Sequence, residues 1–206
     1  MKSLVLLSGG LDSAVCLALE LHGGNGVVAL AIDYGQQHKE ELEAAHRVAV
    51  HYGVDLRRAK VSMPFGDGVA LLGGATVPAK RTQEERQAGI APTYVPGRNT
   101  VLLALALGLA EVVGAKRIVI GATMADQAGY PDCRPGYMAA FGALAASAAV
   151  SVSVCAPLIS MDKVEIGNLA RELRVPVSMT RSCYLPGTPC GVCDACVERE
   201  RAVGRA

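Results

Sequence analysis

Leu4-Val5-Leu6-Leu7-Ser8-Gly9-Gly10-Leu11-Asp12-Ser13 decides how this chain folds. Leu4 to Leu7 is a short continuous apolar run, the pattern of a central parallel strand covered on both faces. Ser8 to Ser13 supplies two glycines, two hydroxyls and a carboxylate, and Ala14 to Leu19 continues with good helix formers. The polar turn therefore falls where a strand ends and a helix begins. Free backbone N–H groups and the positive end of the helix dipole converge at such a point. Gly9 and Gly10 carry no Cβ, so the backbone there can approach an anion closely. The stretch reads as a phosphate site, set against the plainer reading of a glycine turn with an Asp/Ser helix cap.

Working outward, the same alternation recurs. Val27 to Ile32 is a second buried strand, ending in Asp33-Tyr34-Gly35-Gln36 and followed by His38, Lys39 and Glu40. Leu42, Ala45, Val48 and Ala49 mark one face of a helix from about Glu40 to His51, and Asp55 to Val61 is a weaker third strand. A strong apolar helix follows over Val101 to Val113, then a strand over Arg117 to Ile120 that ends in Gly121-Ala122-Thr123-Met124-Ala125-Asp126. Strands alternating with helices predict an α/β fold with a doubly wound parallel sheet. Right-handed crossovers put all strand C-termini on one edge, where ligands bind. Ser8 to Gly10 and Asp33 to Gly35 both fall on that edge.

The chain has 206 residues, 51% of them apolar, which suits a single domain with a large core built from Ala, Val and Leu, since there are two Phe and no Trp. A net charge of +1 gives no long-range pull toward nucleic acid or anionic lipid. The apolar run before Gly9 is too short for a signal-peptide core. Tyr137 to Met161 is uncharged, but it is rich in Ala, Ser and Gly and is interrupted by Pro157. It reads as a small-residue helix, roughly Tyr137 to Ala149, and a buried strand, Val150 to Cys155. The expectation is a soluble cytoplasmic protein without a membrane segment.

Residues 64–96 break the rhythm, with many Gly and Pro and a charged run from Lys80 to Arg86. So long an excursion is either a lid over the ligand edge or a surface insertion. Pro96-Gly97 closes it and places Arg98-Asn99-Thr100 at a helix start. A cation there is locally unfavourable, so Arg98 reads as an anion clamp unless it simply points into water. Gly129-Tyr130-Pro131-Asp132-Cys133-Arg134 gathers an aromatic ring, a carboxylate and a guanidinium in one turn, a set suited to a planar heterocycle. Cys133 is a nucleophile or, more simply, an anchoring thiol; Cys16 and Cys155 read as core residues. Lys163 either touches a phosphate or pairs with a nearby surface carboxylate. The tail, Cys183-x6-Cys190-x2-Cys193-x2-Cys196, suits a tetrahedral ion such as zinc, although an iron–sulfur cluster also accepts this spacing. Arg181, Arg199 and Arg201 read as offsets to the negative charge of such a site.

Ser8-Gly9-Gly10-Leu11-Asp12-Ser13 resembles the PP-loop of the N-type ATP pyrophosphatases. No Gly-Lys-Ser/Thr follows, so it is not a Walker loop. Taken with Asp33-Tyr34-Gly35-Gln36 followed by His38 and Glu40, Val95 to Asn99, Gly129 to Arg134, Asp162-Lys163 with Glu165, and the four terminal cysteines, the chain resembles the 7-cyano-7-deazaguanine synthase family along essentially its whole length. The resemblance implies an adenine nucleotide alpha hydrolase-like fold, one domain over 1–206, a lid over 64–96 and a zinc-binding region over 180–206. It also implies a ligase forming C–N bonds in queuosine biosynthesis. ATP would adenylate the carboxylate of 7-carboxy-7-deazaguanine, ammonia would displace AMP, and a second ATP would drive the amide to the nitrile. Mg2+ would accompany ATP, zinc would be structural, and the chain would form a homodimer without direct nucleic-acid contact.

Site roles carry over by resemblance. Ser8, Gly9, Gly10, Leu11, Asp12 and Ser13 would hold phosphates, with Lys163 beside them, and Asp33, Tyr34 and Gly35 would lie near the adenosine. Asp12, Ser13, Arg98, Asp132 and Arg134 would serve the reaction, and Tyr130 would stack on the deazaguanine. Cys183, Cys190, Cys193 and Cys196 would hold the metal. Gln127-Ala128 and Pro135-Gly136-Tyr137 depart from the family's usual residues beside this turn, so an altered acceptor is the alternative. A tRNA-thiolating PP-loop enzyme is another, which the small net charge and the cysteine tail oppose.

Overall fold

The structure is a computed structural model and describes residues 1–148 and 151–204. Five parallel strands form one sheet: β1 (Lys2–Leu6), β2 (Gly26–Asp33), β3 (Asp55–Lys60), β4 (Arg117–Val119) and β5 (Ser153–Cys155), in the order β3-β2-β1-β4-β5. The helices are α1 (Leu11–His22), α2 (Glu40–Tyr52), α3 (Gln83–Gln87), α4 (Arg98–Val113), α5 (Pro135–Ala146), α6 (Lys163–Glu172) and α7 (Asp194–Val203). The predicted doubly wound parallel sheet is therefore present. Pairing runs outward from β1 in both directions, so the strand order reverses between β1 and β4.

Alternation along β1 divides the core. Val5 and Leu7 face α1, α2 and α6, whereas Leu4 and Leu6 face α4 and α5. Both faces are covered, as the apolar runs require. The edge strand β3 carries Arg57, Arg58 and Lys60 and stays largely exposed, which blunts edge-to-edge pairing. Inside, Glu20 is buried and satisfied. Its carboxylate accepts from Ser3 Oγ at 2.6 Å, Asn25 Nδ2 at 2.9 Å and Arg117 Nη1 at 3.2 Å, tying α1 to β1 and β4.

Most boundaries agree with the sequence reading to within a few residues. The helix expected from Tyr137 starts two residues earlier, at Pro135, whose fixed φ suits the first helical turn. Ala149 and Val150, where that helix and the next strand were expected to meet, lie outside the described residues. Helix α4 begins at Arg98 and not at Val101. The 64–96 excursion holds a 3-10 turn at Ala70–Leu72 and the short α3, whose start is closed by a Thr82/Glu85 capping box. Its Ala70, Leu71 and Val77 are buried in a small third cluster with Tyr34, Val95 and three of the tail cysteines.

Helices α6 and α7 approach closely because Gly167 has no side chain. A Cβ there would fall 1.8 Å from the Ala202 carbonyl oxygen. Gly167→Ala should destabilise the fold by about 1–3 kcal/mol, a fall of roughly 2–10 °C in thermal midpoint. The paired change Gly142→Ala, in α5 where the nearest atom to a new Cβ is 4.0 Å away, should be neutral or stabilising by up to about 1 kcal/mol. Equal midpoints for the two variants would contradict this packing.

Candidate active site and metal centre

A cavity of about 920 Å³ opens at the strand C-termini where the sheet reverses, lined by Leu6 and Leu7 of the β1 end, Ile120 and Gly121 after β4, and the loop Ser8 to Ser13. Such switch points are where open α/β sheets bind ligands. The phosphate loop is held from inside. Ser13 Oγ donates to the Gly10 carbonyl at 3.0 Å and lies 3.2 Å from Ser8 Oγ, and no side chain caps the start of α1. Gly9 has φ +94°, and a Cβ there would meet the Glu41 carbonyl at 2.1 Å. The Gly9 carbonyl accepts from the Arg181 N–H at 2.8 Å.

Lys163, at the start of α6, donates to both Asp12 oxygens at 2.9 and 3.0 Å. Its partner is thus the phosphate-loop carboxylate, 151 residues away, inside the cavity. Burial pushes the Asp12 carboxyl up, and Lys163 pulls against it. Burial acts to lower the Lys163 ammonium, but Asp12 and Asp126 outweigh it and raise it overall. A charged lysine is thereby held where an incoming phosphate could share it.

Arg98 also lines the cavity, with its guanidinium carbon 5.8 Å from the centre of the Tyr34 ring. Burial works against its charge, but Tyr34, Cys133 and Asp132 hold its pKa above the ordinary value. Its Nε is buried without a hydrogen-bond partner among the described residues. Burial pushes the Tyr34 hydroxyl up to about 12. The unfavourable cation at the start of α4 is offset by Asp132, whose Oδ2 accepts from the Asn99 N–H at 3.0 Å. Asn99 Nδ2 donates to Cys133 Sγ at 3.2 Å, and burial raises that thiol, so Cys133 anchors the α4 start.

Not every residue singled out in the sequence reaches this cavity. Ser8, Gly10, Leu11, Asp12, Ser13, Tyr34, Arg98 and Lys163 line it, whereas Gly9, Asp132 and Arg134 do not. Asp33 and Gly35 line a smaller pocket of about 320 Å³ beside β3, where Asp33 pairs with Lys39 at 2.8 Å. Arg134 is exposed and donates to the Gln127 and Ala128 carbonyls at 3.0 and 3.5 Å. Those are backbone contacts, available to any residue at 127 and 128. Tyr137 hydrogen-bonds Thr100. The departures from the family pattern therefore lie outside the cavity, except Ala128, which lines it. Tyr130 does line the cavity, its hydroxyl 2.5 Å from Thr93 Oγ1 and 3.2 Å from the Tyr184 hydroxyl. Asp126, at the end of the stretch after β4, and Tyr184, which no periodicity or motif selects, are further cavity residues.

The four tail cysteines converge, with all Sγ atoms within 4.8 Å of one another. Cys183 and Cys190 Sγ are 3.7 Å apart, and Cys190 and Cys196 Sγ are 4.0 Å apart. A tetrahedral ion with bonds of about 2.3 Å to sulfur separates its ligands by about 3.8 Å, so the donor set fits one ion. Burial acts to raise the Cys190 thiol, but N–H donors from Val192 and Cys193 and the neighbouring thiols outweigh it and leave it at about 7. Arg199 feels the charge of Cys196, one turn away on the same helix, but its hydrogen bonds go elsewhere. It donates to Thr180 Oγ1 at 2.7 Å and the Val177 carbonyl at 2.8 Å, bracing the segment that carries Arg181 to the phosphate loop. Arg81 and Arg86 of the excursion pair with Asp194 and Glu198 of α7 at 2.8 Å each, and all four line the cavity.

Fold and site together define an α/β nucleotide-binding protein of the PP-loop type with a four-cysteine metal-binding region. The chain belongs to the family described as Queuosine biosynthesis protein QueC, which matches residues 2–206. It is 45% identical over 213 residues to the 7-cyano-7-deazaguanine synthase of Parasynechococcus marenigrum (strain WH8102), covering 99% of this chain and 93% of that protein. It is 44% identical over 215 residues to the 7-cyano-7-deazaguanine synthase of Anaeromyxobacter sp. (strain Fw109-5), covering 100% and 92%. Among solved structures it is similar to an NMN synthetase from Francisella tularensis, with TM-score 0.54 and 16% identity over 92% of this chain and 70% of the other. It is also similar to the U34-tRNA thiolase NcsA of Methanococcus maripaludis with its 4Fe-4S cluster, with TM-score 0.53 and 16% identity over 85% and 58%. At such identities the structural likeness is one of fold.

Cys193→Ser should abolish stoichiometric metal in the purified chain, read by elemental analysis, and lower the thermal midpoint by at least about 5 °C. Unchanged metal content and midpoint would remove the four-cysteine assignment.

Proposed function

We propose that this chain makes 7-cyano-7-deazaguanine from 7-carboxy-7-deazaguanine, ammonia and ATP, releasing AMP and pyrophosphate. The observation that carries this reading is one cavity onto which the phosphate loop, the Lys163–Asp12 pair and the Tyr130 wall all open. Near-full-length similarity to relatives bearing that enzyme's name supports it. A carboxylate oxygen is a poor leaving group, and transfer of AMP converts it into a good one. Two such activations carry a carboxylate through an amide to a nitrile.

In this reading Ser8, Gly10, Leu11 and Ser13 cradle the ATP phosphates, and Gly9 shapes the loop. Lys163 and Arg98 stabilise the negative charge that develops as pyrophosphate departs. Asp12 and Asp126 are the cavity carboxylates suited to Mg2+, which neutralises phosphate charge when bound. Tyr34 is the residue of the Asp33-Tyr34-Gly35 string placed to meet the nucleoside. Tyr130 offers a ring face to the deazaguanine, while Asp132 and Arg134 act through backbone positioning. Zinc is the ion we assign to the cysteines. Their convergence on a single centre supports it over a cluster, which spreads four thiolates over two or four irons. A site that needs four reduced thiols supports a cytoplasmic location.

Two apolar helices support a homodimer. Both α4 and α5 are apolar on nearly every side, yet Leu105 and Val112 on one stripe of α4 and Leu144 on α5 are exposed, Val112 to 84%. Among the described residues no helix is long and apolar enough to cross a membrane.

Incubation with 7-carboxy-7-deazaguanine, ATP, Mg2+ and ammonium should yield the nitrile by mass spectrometry with about two AMP per product, one for each activation. Asp12→Ala should lower AMP formation by at least about 100-fold with metal content intact. AMP accompanied by a stalled adenylate or amide would point to another acceptor, and near-normal turnover of Asp12→Ala would overturn the phosphate-loop assignment. Val112→Asp with Leu144→Asp should shift the mass measured by light scattering from dimer to monomer. A monomeric unmodified chain would remove the dimer.

A further inference from the structure

We propose that His38 is the general base that takes protons from nitrogen in this reaction, with Glu41 as its positioning residue. The assignment deepens the function proposed above and rests on it. His38 is 3% exposed, yet its residue forms part of the cavity wall together with Tyr34, Glu41, Arg98 and Tyr184. Its Nε2 lies 3.1 Å from Glu41 Oε2. Glu41 Oε1 accepts from Gln36 Nε2 at 2.8 Å, and Gln36 is itself fully buried, donating to the Ile32 carbonyl at 3.3 Å and accepting from the Tyr34 N–H at 2.8 Å.

This chain of contacts fixes the carboxylate, and the carboxylate fixes the imidazole. A carboxylate facing Nε2 calls for a proton on that nitrogen, which leaves the lone pair on Nδ1. His38 Nδ1 is buried and has no hydrogen-bond partner among the described residues. A core histidine kept only for packing would ordinarily satisfy both nitrogens. The nearest aromatic neighbour, Tyr184, meets the ring edge-on at 6.2 Å between centroids. The arrangement of an oriented carboxylate, a carboxylate-bound imidazole and a free basic nitrogen is that of a general base.

Its place in the molecule suits the chemistry. The Glu41 carbonyl abuts Gly9 so closely that a Cβ on Gly9 would lie 2.1 Å from it. The His38–Glu41 pair therefore stands beside the loop that takes the phosphates, where a carboxylate attacking ATP must also lie. Adenylation itself needs no base, because the attacking carboxylate is already an anion and pyrophosphate leaves with the bonding electrons. Protons must be removed afterwards. Ammonia adds to the acyl carbon, the new ammonium nitrogen gives a proton to Nδ1, and the carbon–oxygen bond to AMP breaks to leave the amide. The amide oxygen then attacks the second ATP, releasing pyrophosphate. The resulting O-adenylated cation gives up one N–H proton to form an imidate. It gives up the second as the bond to AMP breaks and the C≡N bond forms. Between transfers Nδ1 gives its proton to the departing AMP phosphate or to water that follows AMP through the cavity.

The test separates the two halves of the reaction in the metal-loaded, full-length chain. Exchange of labelled pyrophosphate into ATP, dependent on 7-carboxy-7-deazaguanine, reads adenylation; nitrile formation reads the whole sequence. His38→Ala should keep exchange within about 3-fold of the unmodified chain while ammonia-dependent nitrile formation falls about 10²–10⁴-fold. Added imidazole should restore part of the lost rate, and Glu41→Gln should lose less than His38→Ala. Nitrile formation by His38→Ala within about 3-fold of the unmodified chain would overturn the assignment. So would parallel loss of exchange and nitrile formation, which marks a structural role. Absence of exchange in the unmodified chain would instead overturn the adenylation reading, and the base would fall with it.

Discussion

The phosphate loop can take its shape only because nothing projects from Gly9. On one side the first turn of α2 presses the Glu41 carbonyl into the space a Cβ would fill. On the other, the Gly9 carbonyl accepts from the Arg181 N–H, a residue brought in from the far end of the chain. The loop is thus clamped between the helix that follows the neighbouring strand β2 and the segment that leads into the four-cysteine region. An anion site made of backbone N–H groups works only if those groups are held in place before the anion arrives, and these two contacts do the holding.

The cysteine region accordingly has more to do than close a small hydrophobic gap. Cys196 and Arg199 lie on the same helix, and Arg199 braces Thr180 and Val177 immediately before Arg181. Cys183, two residues after Arg181, is the first of the four converging cysteines. The cysteine cluster, helix α7 and the Ser8–Ser13 loop are therefore joined by a short run of contacts. The excursion over 64–96 joins the same unit through Arg81–Asp194 and Arg86–Glu198. These ion pairs are mostly buried, so separating the excursion from α7 would strip Arg81, Arg86 and Asp194 of their partners and leave Glu198 with Arg201 alone. The loop, the metal region and the excursion bound one cavity and hold each other in position around it.

How far the sequence discloses this depends on the range of the interactions. The strands β1 and β2 and helices α1, α2 and α4 are legible because their burial follows local periodicity, and the handedness of the crossovers puts the strand C-termini on one edge. The cysteine site is legible because a metal needs its ligands at short spacings. What the sequence conceals is partnership across long separations. Lys163 offers two readings locally, and its partner Asp12 lies 151 residues away. Arg98 looks misplaced at a helix start until Asp132 is seen to take the Asn99 N–H across 33 residues. Arg181 and Arg199 look in sequence like counterions to thiolates, and nothing local shows that their hydrogen bonds go to carbonyl and hydroxyl oxygens.

The same distinction explains why the substitutions around the Tyr130 turn leave it standing. Arg134 holds that turn through the carbonyls of residues 127 and 128, and a carbonyl is present whatever the side chain. Gln127 adds its own contact, donating to the Ile159 carbonyl at 2.6 Å, and so secures the turn to the segment after β5. Side chains that line the cavity are constrained by what they must bind. Those behind it are constrained only by the backbone shape they must support, and several residue types can support one shape. Departure from a family pattern therefore bears on substrate choice only where the altered side chain faces the cavity. Gln127, Pro135, Gly136 and Tyr137 do not line it, and Ala128, which does, brings only a methyl group to its wall.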